Sequence, residues 1–298
     1  MPGAAPPAAP APGHGDADHL ARLRTRAEQR LREAGVATPG IDAGWLLEAV
    51  TGIPPSLQSL RGDTRLEVAA RRRLERLLRR RERREPLQLV LGETEFYGLR
   101  LRLRAGVLVP RPETEALVEH ALRDLPSDAA ARVLDLGCGS GAVALAIASA
   151  RPLARVDASD IDPAAVALTR RNASALGLEL RVHRADLLDH PRLRASARDA
   201  TLLLANLPYL PESDRGTLAP ELAWDADAAL FAGPDGLRVA RRARAQAWRA
   251  LRPGAVTWWE LDPRNAERFA REAAAIGWRE VRVAADLSGR RRFVRCVR

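Results

Sequence analysis

Two stretches of the 298-residue chain combine residue types and spacings that could do chemistry. In the first, the apolar run Val133-Leu-Asp-Leu136 leads into Gly137, Cys138, Gly139, Ser140 and Gly141, and an Ala-rich segment follows. Glycines let backbone come close to a ligand, and amides that open a helix are donors suited to a nucleotide-type group. Asp160 closes the next apolar run, 19 residues after Gly141. A carboxylate there can accept from two ribose hydroxyls. The pattern leaves its ligand open. Gly137, Gly139 and Ala142 also satisfy the G-x-G-x-x-A form of a dinucleotide fingerprint, which would fit a dehydrogenase.

The second stretch is Asn206-Leu207-Pro208-Tyr209, directly after the apolar Leu202–Ala205. Its groups suit an amide or an aromatic amine. The Asn206 side-chain oxygen and the Leu207 carbonyl can each accept one N–H of a planar NH2 group. Pro208 withholds a competing donor and stiffens the turn. Tyr209 offers a flat face for stacking.

The elements that must position these groups follow from periodicity. From Arg132 onward, strands are predicted at Val133–Leu136, Arg155–Ser159, Leu180–Ala185, Leu202–Ala205 and Val256–Leu261, with a closing pair near Val281–Ala284 and Phe293–Val297. Helices are predicted at Ala142–Ala150, Pro163–Leu176 and Gly236–Leu251. Such alternation makes an α/β domain with a mostly parallel sheet covered on both faces, antiparallel at its closing edge. Sheets of this kind bind ligands at the carboxyl ends of their strands, where both stretches fall. Leu99–Arg104 alternates with period two between Gly98 and Gly106, which predicts a hairpin strand. Further upstream the spacing predicts helices. Leu20, Leu23, Ala27, Leu31 and Ala34 lead to a stop at Gly35, and Asp42 reads as the N-cap of a helix closed by Gly52. Residues 64–85 carry one apolar stripe, with Arg and some Glu on the remaining surface. That Arg face is either a solvated surface or a docking face for an acidic or RNA-bound partner.

Composition excludes several classes. At 46% hydrophobic and 29% charged the chain is ordinary globular material, so extensive disorder is not expected. No apolar run approaches the roughly 18–20 residues of a membrane helix. Two cysteines, Cys138 and Cys296, make no disulfide scaffold, and the five histidines lack ligand spacing, so no metal is expected. The formal charge of +10 hints at nucleic acid, but all 48 basic residues are Arg, a pattern that looks like coding bias. The charge also sits at the ends: residues 1–90 and 281–298 each carry +5, and residues 91–280 are neutral. A nucleic-acid partner is therefore not required.

A third group of residues carries a resemblance. Glu93-Thr-Glu-Phe-Tyr-Gly98 and Val107-Leu-Val-Pro-Arg-Pro-Glu-Thr-Glu-Ala-Leu-Val-Glu119 precede the glycine loop, and Ala219-Pro-Glu-Leu222 and Ala229-Leu-Phe-Ala-Gly-Pro-Asp-Gly236 follow the Asn206 stretch. With the loop, Asp160 and Asn206–Tyr209, these resemble the bacterial release factor glutamine methyltransferases, the HemK/PrmC-like family, from about Gly40 to the C-terminus. The resemblance implies a class I S-adenosylmethionine-dependent methyltransferase fold, Rossmann-like, with a mostly parallel seven-stranded sheet and a small N-terminal helical domain. It divides the chain into a disordered Ala/Pro/Gly tail at 1–18, a helical substrate-docking domain at 19–90, a β-hairpin linker at 91–110 and a methyltransferase domain at 111–298.

The implied reaction is N5-methylation of the glutamine in the Gly-Gly-Gln motif of peptide chain release factors, in the cytoplasm, with S-adenosylmethionine as cofactor. The resemblance places that cofactor on Gly137, Cys138, Gly139, Ser140, Gly141 and the ribose acceptor Asp160, with Asp186 or Leu187 by the adenine and Asn206 beside it. Asn206, Leu207, Pro208 and Tyr209 would hold the substrate glutamine and carry catalysis, while Arg111 and Glu113 would brace the site. Two departures matter. The family usually has Pro at position 207, and Asn-Leu-Pro-Tyr is the form of ribosomal RNA adenine dimethyltransferases; the family commonly has Glu-x-Gly where Glu260-Leu261-Asp262 stands. An RNA or DNA adenine N6-methyltransferase, or a diverged non-catalytic S-adenosylmethionine-binding paralogue, is the alternative. Oligomeric state and the preferred release factor are not legible.

Overall fold

In the computed structural model, which describes residues 18–127 and 130–298, the chain forms two compact units that divide after Leu91. The tail predicted at 1–18 lies outside the described residues except for Asp18. That residue is held: its carbonyl accepts from Leu66 N and its carboxylate pairs with Arg71.

The first unit is helical: α1 (Leu20–Glu33), α2 (Pro39–Thr51), α3 (Val68–Glu82) and the short α4 (Leu87–Leu91). Leu20, Ala27 and Leu31 of α1 are buried against Leu46 and Leu47 of α2 and Leu74 and Leu78 of α3. Each such leucine contributes roughly 1.5–3 kcal/mol by leaving water. Two local expectations are corrected. The helix predicted from residue 64 starts at Val68, because Thr64 O and Leu66 N pair with Leu20 N and Asp18 O and hold this stretch extended. Asp42 is not an N-cap. The helix opens at Pro39, whose fixed φ suits a first turn, and Asp42 sits inside it. Its carboxylate meets Arg81 Nε at 2.7 Å and accepts from Thr38 Oγ1 at 2.8 Å, with both members of the ion pair buried. Much of the Arg surface is neutralised within the unit: Arg30 bridges Glu75 and Glu82, and Arg80 pairs with Glu85.

The second unit opens with the hairpin β1 (Glu93–Phe96) and β2 (Leu99–Arg102). Rather than standing free, the hairpin is stitched into this unit. Phe96 and Leu101 enter its core, Asn172 bonds both backbone groups of Arg102, and Glu115 accepts from Tyr97 N. There follow α5 (Glu115–Asp124), β3 (Arg132–Leu136), α6 (Ala142–Ala150), β4 (Arg155–Asp160), α7 (Pro163–Leu176), β5 (Arg181–Arg184), α8 (Pro191–Asp199) and β6 (Leu202–Asn206). The chain closes with α9 (Asp227–Leu230), α10 (Arg238–Ala250), β7 (Val256–Glu260), α11 (Pro263–Ala275), β8 (Arg279–Ala285) and β9 (Arg291–Val297). All seven strands expected after residue 132 are present; α5, α8, the short α9 and α11 went unpredicted.

The sheet order is β5-β4-β3-β6-β7-β9-β8, parallel through β7 and antiparallel at β9 and β8. Alternation along each strand feeds two cores. Val133, Leu202, Leu204, Trp258 and Phe293 face α5 and α6, while Leu134, Leu203, Trp259 and Val294 face the side of α8, α10 and α11. The order in which the chain adds strands reverses between the parallel neighbours β3 and β6, so their carboxyl ends open a crevice at the switch point.

The buried Asp42–Arg81 pair gives a stability test. Asp42→Ala should cost about 3–5 kcal/mol in chemical denaturation, because it removes the carboxylate paired with a buried guanidinium, whereas the double replacement Asp42→Leu with Arg81→Met should come close to wild type. A single variant as stable as wild type would show that the pair is not desolvated.

Candidate active site

Where β3 ends, Gly137, Gly139 and Gly141 all take positive φ, of 71°, 56° and 86°. The loop amides are not the free donors expected from the sequence. Gly137 N and Cys138 N both bond to Ser159 O at 2.8 and 2.9 Å, Gly139 N bonds to Asp160 Oδ2 at 2.9 Å, and Gly141 N bonds to Cys138 O at 2.7 Å. What the loop supplies is room and rigidity. A Cβ at Gly137 would lie 2.8 Å from Leu207 Cδ2, so the loop packs directly on the Asn206 stretch.

Asp160, at the end of β4, accepts from Gly139 N with one oxygen and from Asp162 N with the other. These bonds oppose, without cancelling, the desolvation that raises its carboxyl above the usual range. Leu187 has φ 59°, and its carbonyl accepts from Ser159 Oγ at 3.2 Å. Asp186 is tied to Arg242 at 2.6 Å, leaving its carboxylate already partnered.

At the end of β6, Asn206 Nδ2 donates to Thr114 Oγ1 at 3.1 Å. Among the described residues no turn or loop amide takes the Leu207 carbonyl. Behind this stretch Gly236 is required by packing as well as by its φ of 73°: a Cβ there would stand 2.2 Å from the Tyr209 carbonyl oxygen. Leu210 is paired on both backbone groups with Leu230 and Ala232, which pins the exit from Tyr209. Burial, then the nearby Glu260 charge, pushes the Tyr209 phenol well above its ordinary value. Arg111 binds the buried Asp225 at 2.9 Å and so braces the segment before α9.

A cleft of about 400 Å3 collects most of the residues singled out in the sequence: Gly137 through Ser140, Asp160, Asp186, Leu187, and Asn206 through Pro208. Gly141 and Tyr209 do not line it. Gly141 lies behind the loop against Thr169. Sequence reasoning passed over Asp135. It is 2% exposed beneath the cleft, accepts from Ala144 N at 3.2 Å, and is pushed up to about 7 by desolvation and by the Asp160 charge. The signal was a lone acid in a strand of otherwise apolar residues. Thr114 and Glu260 were also missed as site residues.

Both departures from the family pattern have local explanations. Leu207 is buried and fills the space above Gly137. Asp262 has φ −59°, which needs no glycine, and its carboxylate caps α11 through Arg264 N at 2.8 Å.

Similarity to known proteins agrees with this geometry. The PrmC N-terminal domain family matches residues 22–92 and the methyltransferase small domain family matches residues 113–246. A release factor glutamine methyltransferase of Deinococcus radiodurans is 44% identical over 279 residues, spanning 94% of this chain and 98% of that protein. The chain belongs to the release factor glutamine methyltransferase family. A relative of that name from Mycolicibacterium smegmatis is 39% identical, over 94% of this chain and 99% of its own length. In fold, the second unit's architecture is shared with the catalytic domain of hMettl16, solved in complex with MAT2A 3'UTR hairpin 6. That structure covers 67% of this chain at 14% identity with a TM-score of 0.54.

The family's cofactor is S-adenosylmethionine, and the cleft has the donor set for it. A buried carboxylate beneath an open cleft calls for a cation, which the ammonium of a methionine moiety would supply to Asp135. Asp160 would have lone pairs left for ribose hydroxyls, and Leu187 would offer an apolar edge for a base.

Because Asp135 must be charged to bind an ammonium, S-adenosylmethionine affinity should strengthen as pH rises through about 7, until the free ligand's own ammonium begins to lose its proton. Asp135→Asn should weaken binding and remove that dependence. Calorimetry in buffers of different ionisation heat measures both; a pH-independent wild type would refute the role.

Proposed function

We propose that the chain methylates N5 of the Gly-Gly-Gln glutamine of peptide chain release factors, in the cytoplasm, at the cleft between the glycine loop and Asn206–Tyr209. The observation that carries this reading is the state of Asn206. Its Nδ2 is committed to Thr114, so Oδ1 is the atom left for a ligand, one residue from the unused carbonyl of Leu207. Two acceptors side by side match the two N–H groups of a primary amide.

The chemical problem is a weak nucleophile, since the lone pair of an amide nitrogen is delocalised into its carbonyl. Asn206 Oδ1 and the Leu207 carbonyl would grip both N–H groups, orient the nitrogen and draw electron density onto it. Pro208 brings no donor to compete. When bound, S-adenosylmethionine would supply an electrophilic methyl group on a sulfonium, and the glycine loop that would hold it packs on Leu207, next to Asn206. The nitrogen–carbon bond forms as the sulfur–carbon bond breaks, and the nitrogen then releases a proton that has become acidic. Positioning supplies most of the acceleration, and aligned acceptors stabilise the developing positive charge on nitrogen. Tyr209 would shield the amide plane. The exposed Arg72, Arg73 and Arg76 of α3 would serve the docking of an acidic release-factor surface.

Incubation with methyl-labelled S-adenosylmethionine and a purified release factor, followed by peptide mass spectrometry, should place one methyl group on the Gly-Gly-Gln glutamine. Label on RNA with none on that glutamine would overturn the reading. Asn206→Ala should lower turnover roughly 10²–10³-fold with S-adenosylmethionine affinity nearly unchanged. An Asn206→Ala enzyme with full turnover would refute the assigned role.

A further inference from the structure

An asparagine amide is nearly symmetric in shape, so packing alone does not decide which end faces a ligand. The end matters here: Oδ1 accepts from a substrate amide, whereas Nδ2 would set donor against donor. The deciding group stands on the far side. Thr114, 3% exposed at the start of α5, takes Nδ2 of Asn206 at 3.1 Å. A hydroxyl can accept or donate, so Thr114 by itself would satisfy either orientation.

Glu260 removes that ambiguity. It is the register partner of Asn206 on β7, is 1% exposed, and neither of its oxygens has a closed hydrogen bond among the described residues. The Thr114 hydroxyl is near enough to this carboxylate to favour its charged form, though no hydrogen bond is closed between them in the resting geometry. A carboxylate only accepts, so it draws the Thr114 hydrogen to itself and leaves the Thr114 lone pair for Asn206. We propose that Thr114 and Glu260 are positioning residues that fix the Asn206 amide with Oδ1 toward the substrate. This rests on the reading of Asn206 as the holder of the substrate amide.

The charged surroundings of Glu260 bear on its protonation. Arg292 on β9 favours the carboxylate, while Glu113 beside Thr114 and Asp286 after β8 oppose it, and Tyr209 lies within reach of its charge. Desolvation outweighs all of these and pushes the Glu260 carboxyl up to about 7. A protonated Glu260 becomes a donor to Thr114. The relay then reverses, Thr114 donates to Asn206, and the amide turns its Nδ2 to the substrate.

The test is steady-state kinetics on a release factor, with S-adenosylmethionine affinity and thermal stability measured in parallel, for wild type, Thr114→Val, Thr114→Ser and Glu260→Gln. Thr114→Val should lower kcat about 10²-fold, the scale of a misplaced reacting group, with little change in KM or cofactor affinity. Thr114→Ser should restore most of it. Wild-type kcat should rise with pH through the neutral range, and Glu260→Gln should flatten that rise. The inference is overturned if Thr114→Val keeps wild-type kcat, if Thr114→Ser is as impaired as Thr114→Val, or if Glu260→Gln keeps the pH rise. A loss in Thr114→Val that follows thermal stability alone likewise overturns it. A wild type that methylates no release factor would instead refute the proposed function, and this inference with it.

Discussion

The parallel pairing of β3 with β6 is the constraint on which the rest of the unit depends. Register places Leu136 beside Ala205, so the next residue on each strand, Gly137 and Asn206, must emerge side by side. One strand then turns toward β4 and the other toward β7, and the gap between those paths is the cleft. The same pairing puts Leu207 Cδ2 2.8 Å from where a Cβ at Gly137 would stand, so a side chain there, already strained by a φ of 71°, would force Leu207 to move. Cofactor loop and amide-holding stretch are therefore one mechanical unit, built from adjacent strand ends.

Around that junction the protein buries charge instead of avoiding it. Asp135 and Glu260, two residue levels apart in the sheet, are both pushed up to about 7, in each case chiefly by loss of water. Their arrangement differs. Asp135 has one backbone amide and an opening above it that can admit a cation, whereas Glu260 is closed in with Thr114 and Arg292. Desolvated acids of this kind cost free energy that a fold without function would not retain. The neighbouring structure absorbs the cost through rigid elements: Thr114 directly precedes α5, Arg111 is anchored on Asp225, and Gly236 lets the chain behind Tyr209 close tightly.

Most of the sheet was legible because continuous apolar runs such as Leu202–Ala205 face a core on each side. Glycine spacing and the Asn-Leu-Pro-Tyr stretch located the cleft for a related reason: residues with special backbone or hydrogen-bonding abilities are rarely placed at random. What escaped was long-range or polar. Which partner Asn206 finds, Thr114 at 92 positions' remove, is set by tertiary packing that no local spacing encodes. The loop amides looked free because nothing in the sequence shows that the Ser159 carbonyl will take two of them. Helix α11 did carry a readable stripe, Ala266, Phe269, Ala270 and Ala273, but three alanines give a weak signal beside so many Arg. The net charge proved uninformative about the site, since much of the Arg surface of α3 is spent on internal ion pairs.

The central claim is that a primary amide is held by Asn206 and Leu207 at the carboxyl end of β6, in contact with the cofactor cleft. A crystal structure with S-adenosylhomocysteine and a peptide containing Gly-Gly-Gln measures this directly. The glutamine amide nitrogen should lie about 2.7–3.2 Å from both Asn206 Oδ1 and the Leu207 carbonyl oxygen. A glutamine bound outside the cleft, or one whose amide meets neither acceptor, would contradict the account.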